Sequence, residues 1–176
     1  MKIFSEVVRK YWNGELSNIA DLNGLVRDIQ EKYHFKEEDI PFIKDHIRVI
    51  MGLDPKGDAE FEDELDIVKN SKEIKQPIIA KIDGICEYCN EENCKCHDFC
   101  KYETHLYRRS KGPVIVNNKC LDCGECVSAC DFGALADKVE FIPLIDFLKD
   151  KNTTVYAAVA PAIVGQFGED ITLGQI

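Results

Sequence analysis

The sequence predicts an α+β protein in which a helical N-terminal part precedes a cysteine-rich part with short strands. Apolar residues at helical spacing recur through the first 52 residues, and two short β-rich segments each lead into a group of cysteines. A wholly apolar stretch near the C terminus predicts one further buried strand. We therefore expect a helical subdomain at 1–75, a cysteine-rich domain at 76–150 and the start of an α/β domain at 151–176.

Three amphipathic helices are predicted from apolar side chains that recur three and four residues apart. The stripes run through residues 3–12, 22–33 and 40–51. Residues at this spacing share one helix face, so the stripes predict the core of the subdomain. Pro41 suits the first turn of the third helix, and Gly52 suits its end.

The rest of the chain alternates between polar connections and short regular elements. The acidic stretch 53–65 contains proline and glycine, which predicts an exposed connection. The remaining predicted elements are helices near 66–74 and 142–148 and strands at 77–82, 114–116 and 155–159.

Charge and hydropathy exclude several classes of partner. The formal net charge is −10, and the sequence has no basic stripe, so nucleic acid and anionic membranes find little electrostatic attraction. No apolar run approaches the ~20 residues of a membrane span. Met1 is followed at once by a charged amphipathic stretch rather than an apolar signal sequence, and we expect a cytoplasmic protein.

The second cysteine group carries the sharpest chemical signal in the sequence. Cys120, Cys123, Cys126 and Cys130 follow the spacing C-x2-C-x2-C-x3-C, which is the bacterial ferredoxin run. Three thiolates on one tight loop suit three irons of a 4Fe–4S cubane, and Gly124 lets the backbone turn close to the sulfides. A zinc site favours two separated C-x2-C pairs instead.

The first cysteine group is the same ladder with four extra residues. Cys86, Cys89, Cys96 and Cys100 read C-x2-C-x6-C-x3-C, with Cys94 left over. Two alternatives remain open. One alternative is that Cys94 replaces Cys96 as a ligand. The other is that this first group binds zinc with help from His97 or His105. All nine cysteines fall between Cys86 and Cys130, and such clustering in a reducing compartment favours metal binding over disulfides.

The two ladders together predict two 4Fe–4S clusters that exchange their fourth ligands. In two-cluster ferredoxins the last cysteine of each run binds the other cluster. If that pseudo-two-fold arrangement holds, cluster one takes Cys86, Cys89, Cys96 and Cys130. Cluster two then takes Cys120, Cys123, Cys126 and Cys100.

The paired ladders at 76–136 resemble dicluster bacterial ferredoxins. The flanking sequence resembles the N-terminal portion of clostridial-type monomeric iron-only hydrogenases, through IRVIMGL at 47–53, VYAAVAPA at 155–162 and QFG at 166–168. The resemblance implies a ferredoxin-like domain that passes electrons to a redox partner protein or to a downstream hydrogenase catalytic domain.

The sequence departs from that family at two features. Lys101 and Asp131 follow the ladders where the family has proline, and no cysteine follows Cys130 to hold the family's catalytic cluster. We therefore expect no catalytic site in this chain. We expect an N-terminal portion instead, whether an engineered fragment, a truncated reading frame or a separately encoded subunit. Two further functions stay open: a redox or iron–sulfur sensor, and a zinc-stabilised interaction module.

Overall fold

The computed structural model describes most of the N-terminal part and the second cysteine ladder. The described residues are 2–71, 73–75, 77–82, 100, 102, 105–108, 112–115, 119–130, 133–156 and 158, with only the backbone described at 2, 105–108 and 112–115. The chain divides into two compact units, Met1–Ile145 and Asp146–Ile176. This division does not test the domain boundaries expected from the sequence, and those boundaries stay predictions.

Four helices form the N-terminal part of the first unit. They are α1 (Lys2–Trp12), α2 (Ile19–Tyr33), α3 (Ile40–Ile50, entered through a 3-10 turn at Glu37–Asp39) and α4 (Glu64–Asn70). Asn18 caps α2: its side chain accepts the Asp21 N–H, and the Asp21 carboxylate accepts the Asn18 N–H in return.

The predicted helical stripes form one core, with one exception. The buried side chains of α1, α2 and α3 pack together, and Phe141 of a later helix meets Phe4 and Tyr11 edge-on at centroid distances of 6.2 and 6.0 Å. Trp12 was expected on the core face of α1, but its side chain is 47% exposed. Trp12 is the last residue of α1, and this end of the apolar stripe extends beyond the core.

The acidic stretch 53–65 is largely exposed, as its composition predicted, but its C-terminal part also contributes buried residues. Phe61, Glu64 and Leu65 are buried, because this stretch folds around the guanidinium of Arg48, which is fully buried. The helix expected near 66–74 begins and ends earlier, at Glu64 and Asn70.

Among the described residues, four short strands form two antiparallel pairs. They are β1 (Ile79–Lys81), β2 (His105–Arg108), β3 (Gly112–Ile115) and β4 (Leu135–Asp137). Strand β1 pairs with β4, and β2 pairs with β3. Each ladder follows one strand and precedes another in the chain: β1 and β2 enclose the first ladder, and β3 and β4 enclose the second. The strand before each ladder pairs with the strand after the other ladder, so the topology has an internal two-fold relation.

Helix α3 packs on the β1–β4 sheet. Val49 of α3 joins Ala80, Ile82 and Ala136 in one buried cluster, and its carbonyl accepts the Val139 N–H at 3.3 Å. The helical part and this sheet therefore share a core within the first unit.

Two helices complete the described structure. Helix α5 (Glu125–Ala129) lies within the second ladder, and α6 (Phe141–Lys149) follows β4. Within the described residues, no helix combines the length and apolarity needed to cross a bilayer. A buried strand was expected at 155–159, but Val155 and Tyr156 are exposed and belong to no strand, and most of the remaining C-terminal sequence lies outside the described residues.

Candidate iron–sulfur site

The second ladder is a tight loop that turns into a short helix. Cys120 and Cys123 lie on the loop, Cys126 lies in α5, and Cys130 follows the last residue of α5. Gly124 precedes α5 with a φ of 78°, a left-handed conformation that glycine adopts without strain, as its place in the ladder predicted. Asp122 is left-handed as well, with a φ of 53°.

The ladder cysteines differ in exposure because the loop lies against the β1–β4 sheet. Cys126 is buried against Ile79 of β1 and Leu135 of β4. Cys120 and Cys130 are half-buried at the edge of the same apolar cluster, whereas Cys123 is exposed. The loop therefore presents one thiol to the surface and three towards the protein.

Cys100, the last cysteine of the first ladder, influences the pKa values of two thiols in this loop. Burial raises the pKa of Cys126 to about 11, and the nearby thiols of Cys120, Cys100 and Cys123 add to the shift. Burial also raises the pKa of Cys120, with Cys100 again contributing. Cys100 thus lies close enough to the loop to resist the ionisation of its thiols. Cys100 therefore lies in the neighbourhood of Cys120 and Cys126, and the sharing of one cluster by these residues stays a prediction.

The donor set at this place fits a thiolate-bound cluster. Thiols that oppose one another's ionisation need a bound cation to stabilise their charged forms, and thiolates suit soft metals and iron–sulfur clusters. None of the five described cysteines forms a disulfide. In the part of the chain that the structure describes, no three His, Cys, Asp or Glu side chains are gathered closely enough to hold a single metal ion.

The predicted ligands of cluster one can be placed only in part. Cys130 is described, whereas Cys86, Cys89, Cys96 and the alternative Cys94 lie outside the described residues. His97 also lies outside them, and His105 is described only as a backbone position in β2.

Sequence reasoning missed Asp122. Its Oδ1 accepts the Ile78 N–H at 2.8 Å and the Ile79 N–H at 3.3 Å, and it lies 3.6 Å from the Cys120 sulfur. An aspartate flanked by ladder cysteines, two residues before Gly124, was the available signal, because Asp is among the few residues that accept left-handed backbone.

His46 is a second residue near the ladder that the sequence did not single out for a contact. Its ring is buried in α3, its Nε2 lies 3.2 Å from the Gly133 carbonyl, and its centroid lies 4.3 Å from that of Phe42. Burial lowers the pKa of His46 to about 4, so the ring is neutral and Nε2–H donates to Gly133. This bond joins α3 to the segment that follows Cys130.

The family comparison defines the class of this part of the chain. Residues 113–136 match the 4Fe–4S binding domain, and the matched segment contains all four cysteines of the second ladder. This match supports the binding of a 4Fe–4S cluster by the second ladder, in agreement with the spacing of its cysteines.

Two relatives give the match a wider setting. The chain is 32% identical over 72 residues to an uncharacterized ferredoxin of Methanocaldococcus jannaschii, covering 40% of this chain and 47% of the relative. It is 27% identical over 109 residues to the NADP-reducing hydrogenase subunit HndD of Solidesulfovibrio fructosivorans, covering 57% of this chain and 18% of the relative. The chain thus spans less than half the length of either relative. No solved structure gives a significant match. Together the comparisons support an iron–sulfur electron-transfer role.

Proposed function

We propose that this chain is an electron-transfer module that holds two 4Fe–4S clusters, with each ladder lending its last cysteine to the cluster of the other. The observation that carries the proposal is the second cysteine ladder inside the matched 4Fe–4S binding domain, with Cys100 of the first ladder near enough to help raise the pKa of Cys126 and Cys120. Cys100 ends the first ladder, so its presence among the thiols of the second ladder supports exchange of the fourth ligand.

The strand topology supports the second cluster independently. The pairings β1–β4 and β2–β3 relate the chain segment that holds the first ladder to the segment that holds the second. Under this relation, Cys130 occupies in the second ladder the position that Cys100 occupies in the first. A site for Cys130 beside Cys86, Cys89 and Cys96 is therefore the counterpart of the site that Cys100 shares with the second ladder.

The residues of the chain supply binding, burial and access. A bound 4Fe–4S cluster takes up and releases an electron, at potentials between about −700 and +450 mV across such proteins. Cys126 lies in the apolar contact with Ile79 and Leu135, so a cluster bound through it would be shielded from solvent there. Cys123 is exposed, so a cluster bound through it would be accessible to a partner that exchanges electrons.

A pair of double variants tests the exchange of ligands. We expect about eight irons per chain in the wild type and about four in Cys123→Ser. Cys123→Ser combined with Cys100→Ser should still retain about four, because both changes affect the same cluster. Cys123→Ser combined with Cys130→Ser should retain almost none, because each change removes a different cluster.

The reverse pattern would contradict the exchange. If the variant lacking Cys123 and Cys130 kept about four irons and the variant lacking Cys123 and Cys100 kept none, each ladder would serve its own cluster. Iron and labile sulfide are measured together after anaerobic purification, and far-ultraviolet circular dichroism checks that the helical part is intact in each variant.

We also propose that the electron partner is a hydrogenase catalytic domain. The similarity to a hydrogenase subunit over 57% of this chain supports this, and it extends beyond the 4Fe–4S binding domain. Photoreduced protein mixed with an iron-only hydrogenase should be reoxidised with formation of hydrogen. Clusters that stay reduced in the mixture would refute this partner while leaving the electron-transfer role standing.

A further inference from the structure

One carboxylate joins the loop of the second ladder to the strand that precedes the first. Asp122 Oδ1 accepts the backbone N–H groups of Ile78 and Ile79, which are 44 and 43 residues away in the chain. The same oxygen lies 3.6 Å from the Cys120 sulfur, and the backbone of Asp122 also hydrogen-bonds that sulfur. Asp122 therefore contacts a predicted cluster ligand from both its backbone and its side chain.

The register of the sheet explains why β1 needs this partner. The Ile78 carbonyl accepts the Lys138 N–H, and the Ile82 N–H donates to the Ala134 carbonyl, so these two backbone groups face β4, whereas the Ile78 N–H donates to Asp122. Because hydrogen bonding alternates along an antiparallel strand, the Ile79 N–H points to the outer edge of the sheet. Ile79 is only 3% exposed, and Asp122 satisfies this buried donor.

The backbone of Asp122 shows that the residue is held in place. Its φ of 53° is uncommon for any residue other than glycine, and Asp is among the few that accept it. The left-handed turn lets a carboxylate that lies between two ladder cysteines reach back to β1.

The geometry points to Asp122 as a positioning residue for cluster two, which it serves by clamping the Cys120–Cys123 loop onto β1 through hydrogen bonds. This inference rests on the proposed function. Groups that orient metal ligands in this way typically change metal affinity by about 10–100-fold when they are removed. Loss of the clamp should therefore show as faster release of one cluster.

Three variants separate the hydrogen bond from the charge and from the backbone turn. Asp122→Gly removes the acceptor and keeps a residue suited to a positive φ. Asp122→Asn keeps both an oxygen acceptor and tolerance of the left-handed turn but removes the charge. Glu125→Gln removes an exposed carboxylate from the same ladder and is the matched control.

The assay is the loss of visible cluster absorbance after a chelator is added to the anaerobically purified, iron-loaded chain. We expect Asp122→Gly to lose one cluster about tenfold faster than wild type, or to emerge from purification with about four irons and unchanged helical content. Asp122→Asn should stay within about threefold of wild type, and Glu125→Gln should match it. The reduction potential of one cluster should also rise more in Asp122→Asn than in Glu125→Gln, since the Asp122 carboxylate lies 3.6 Å from the Cys120 sulfur and Glu125 is exposed.

Several results would overturn the inference. An iron-loaded Asp122→Gly as stable as wild type would refute the clamp and leave the proposed function standing. Asp122→Asn as labile as Asp122→Gly, or Glu125→Gln equally labile, would show that charge rather than hydrogen bonding is responsible. A wild-type protein without iron and labile sulfide would refute the proposed function and this inference together.

Discussion

Replacing Arg48 by methionine should unfold the helical part of the molecule more readily than any change at its surface. The Arg48 side chain is fully buried, and its Nε and Nη1 donate to Glu64 Oε1 and Asp45 Oδ1 at 3.2 and 3.1 Å. Its Nη2 donates to the carbonyls of Ala59 and Glu60 at 2.6 and 3.1 Å. These bonds hold the acidic stretch that follows α3 against the core.

The magnitude follows from the burial of the partners. Glu64 is 0% exposed and Asp45 is 2% exposed, so Arg48→Met removes a buried cation from two buried carboxylates. Glu64 then keeps only the half-exposed Lys56 as a charged partner, at 3.3 Å. Breaking a buried ion pair by removing one partner costs about 3–5 kcal/mol. With a urea dependence of about 2 kcal/mol per molar, the unfolding midpoint should fall by roughly 2 M.

Lys44→Met on the same helix is the matched control. Lys44 pairs with Glu60 at 2.7 Å, but the Glu60 side chain is 75% exposed, and such pairs contribute about 0–1 kcal/mol. Urea unfolding followed by circular dichroism, on proteins of equal iron content, should separate the two variants clearly. Adding Glu64→Gln to Arg48→Met should recover part of the loss, because it removes a buried charge that has lost its buried partner.

The result that would refute this reasoning is an Arg48→Met protein as stable as Lys44→Met. The Arg48 network would then contribute no more than a surface ion pair, and the acidic stretch would be held by Phe61 and Leu65 alone. Iron content should be the same in both variants, since the network contains no cysteine.

The remaining predictions concern the ladders and pH. Cys123→Ser should deplete one cluster and leave the other largely intact, whereas Cys94→Ser should leave iron content unchanged; a whole cluster lost in Cys94→Ser would show that the ligands chosen for the first ladder are wrong. His46 has a pKa of about 4 in the folded state against 6.5 normally, so the unfolded chain binds the proton first. Its stabilising contribution is therefore full above pH 6.5 and falls as the pH drops towards 4. Between about pH 7 and pH 5 the wild type should lose about 2 kcal/mol more stability than His46→Gln, measured by urea unfolding at each pH. His34→Asn, which changes an exposed histidine at the end of α2, should keep the wild-type pH dependence; equal slopes in wild type and His46→Gln would contradict the burial argument.

Periodicity and spacing were sufficient to predict the features that depend only on residue type and on the interval between residues. The stripes of α1 to α3 were predicted because apolar side chains must share a face in order to be buried. The second ladder was predicted because a cubane needs thiolates at short, fixed intervals, and the match to the 4Fe–4S binding domain confirms that assignment.

The features that were missed depend on partners distant in the chain. Glu64 belongs to a stretch whose acidic composition indicates exposure, yet it is buried because it pairs with Arg48, 16 residues away. Asp122 reaches a strand 44 residues away, a distance that no local pattern encodes. Trp12 fits the stripe of α1 but lies where the helix leaves the core.

The most direct test of two linked clusters is the iron and labile sulfide content of the anaerobically purified chain. We expect about eight irons and eight sulfides per chain. Both contents should fall by half when any one of the eight ligand cysteines is replaced. About four of each in the wild type would leave one cluster and contradict the exchange of ligands, and a colourless protein that carries only zinc would contradict the electron-transfer role itself.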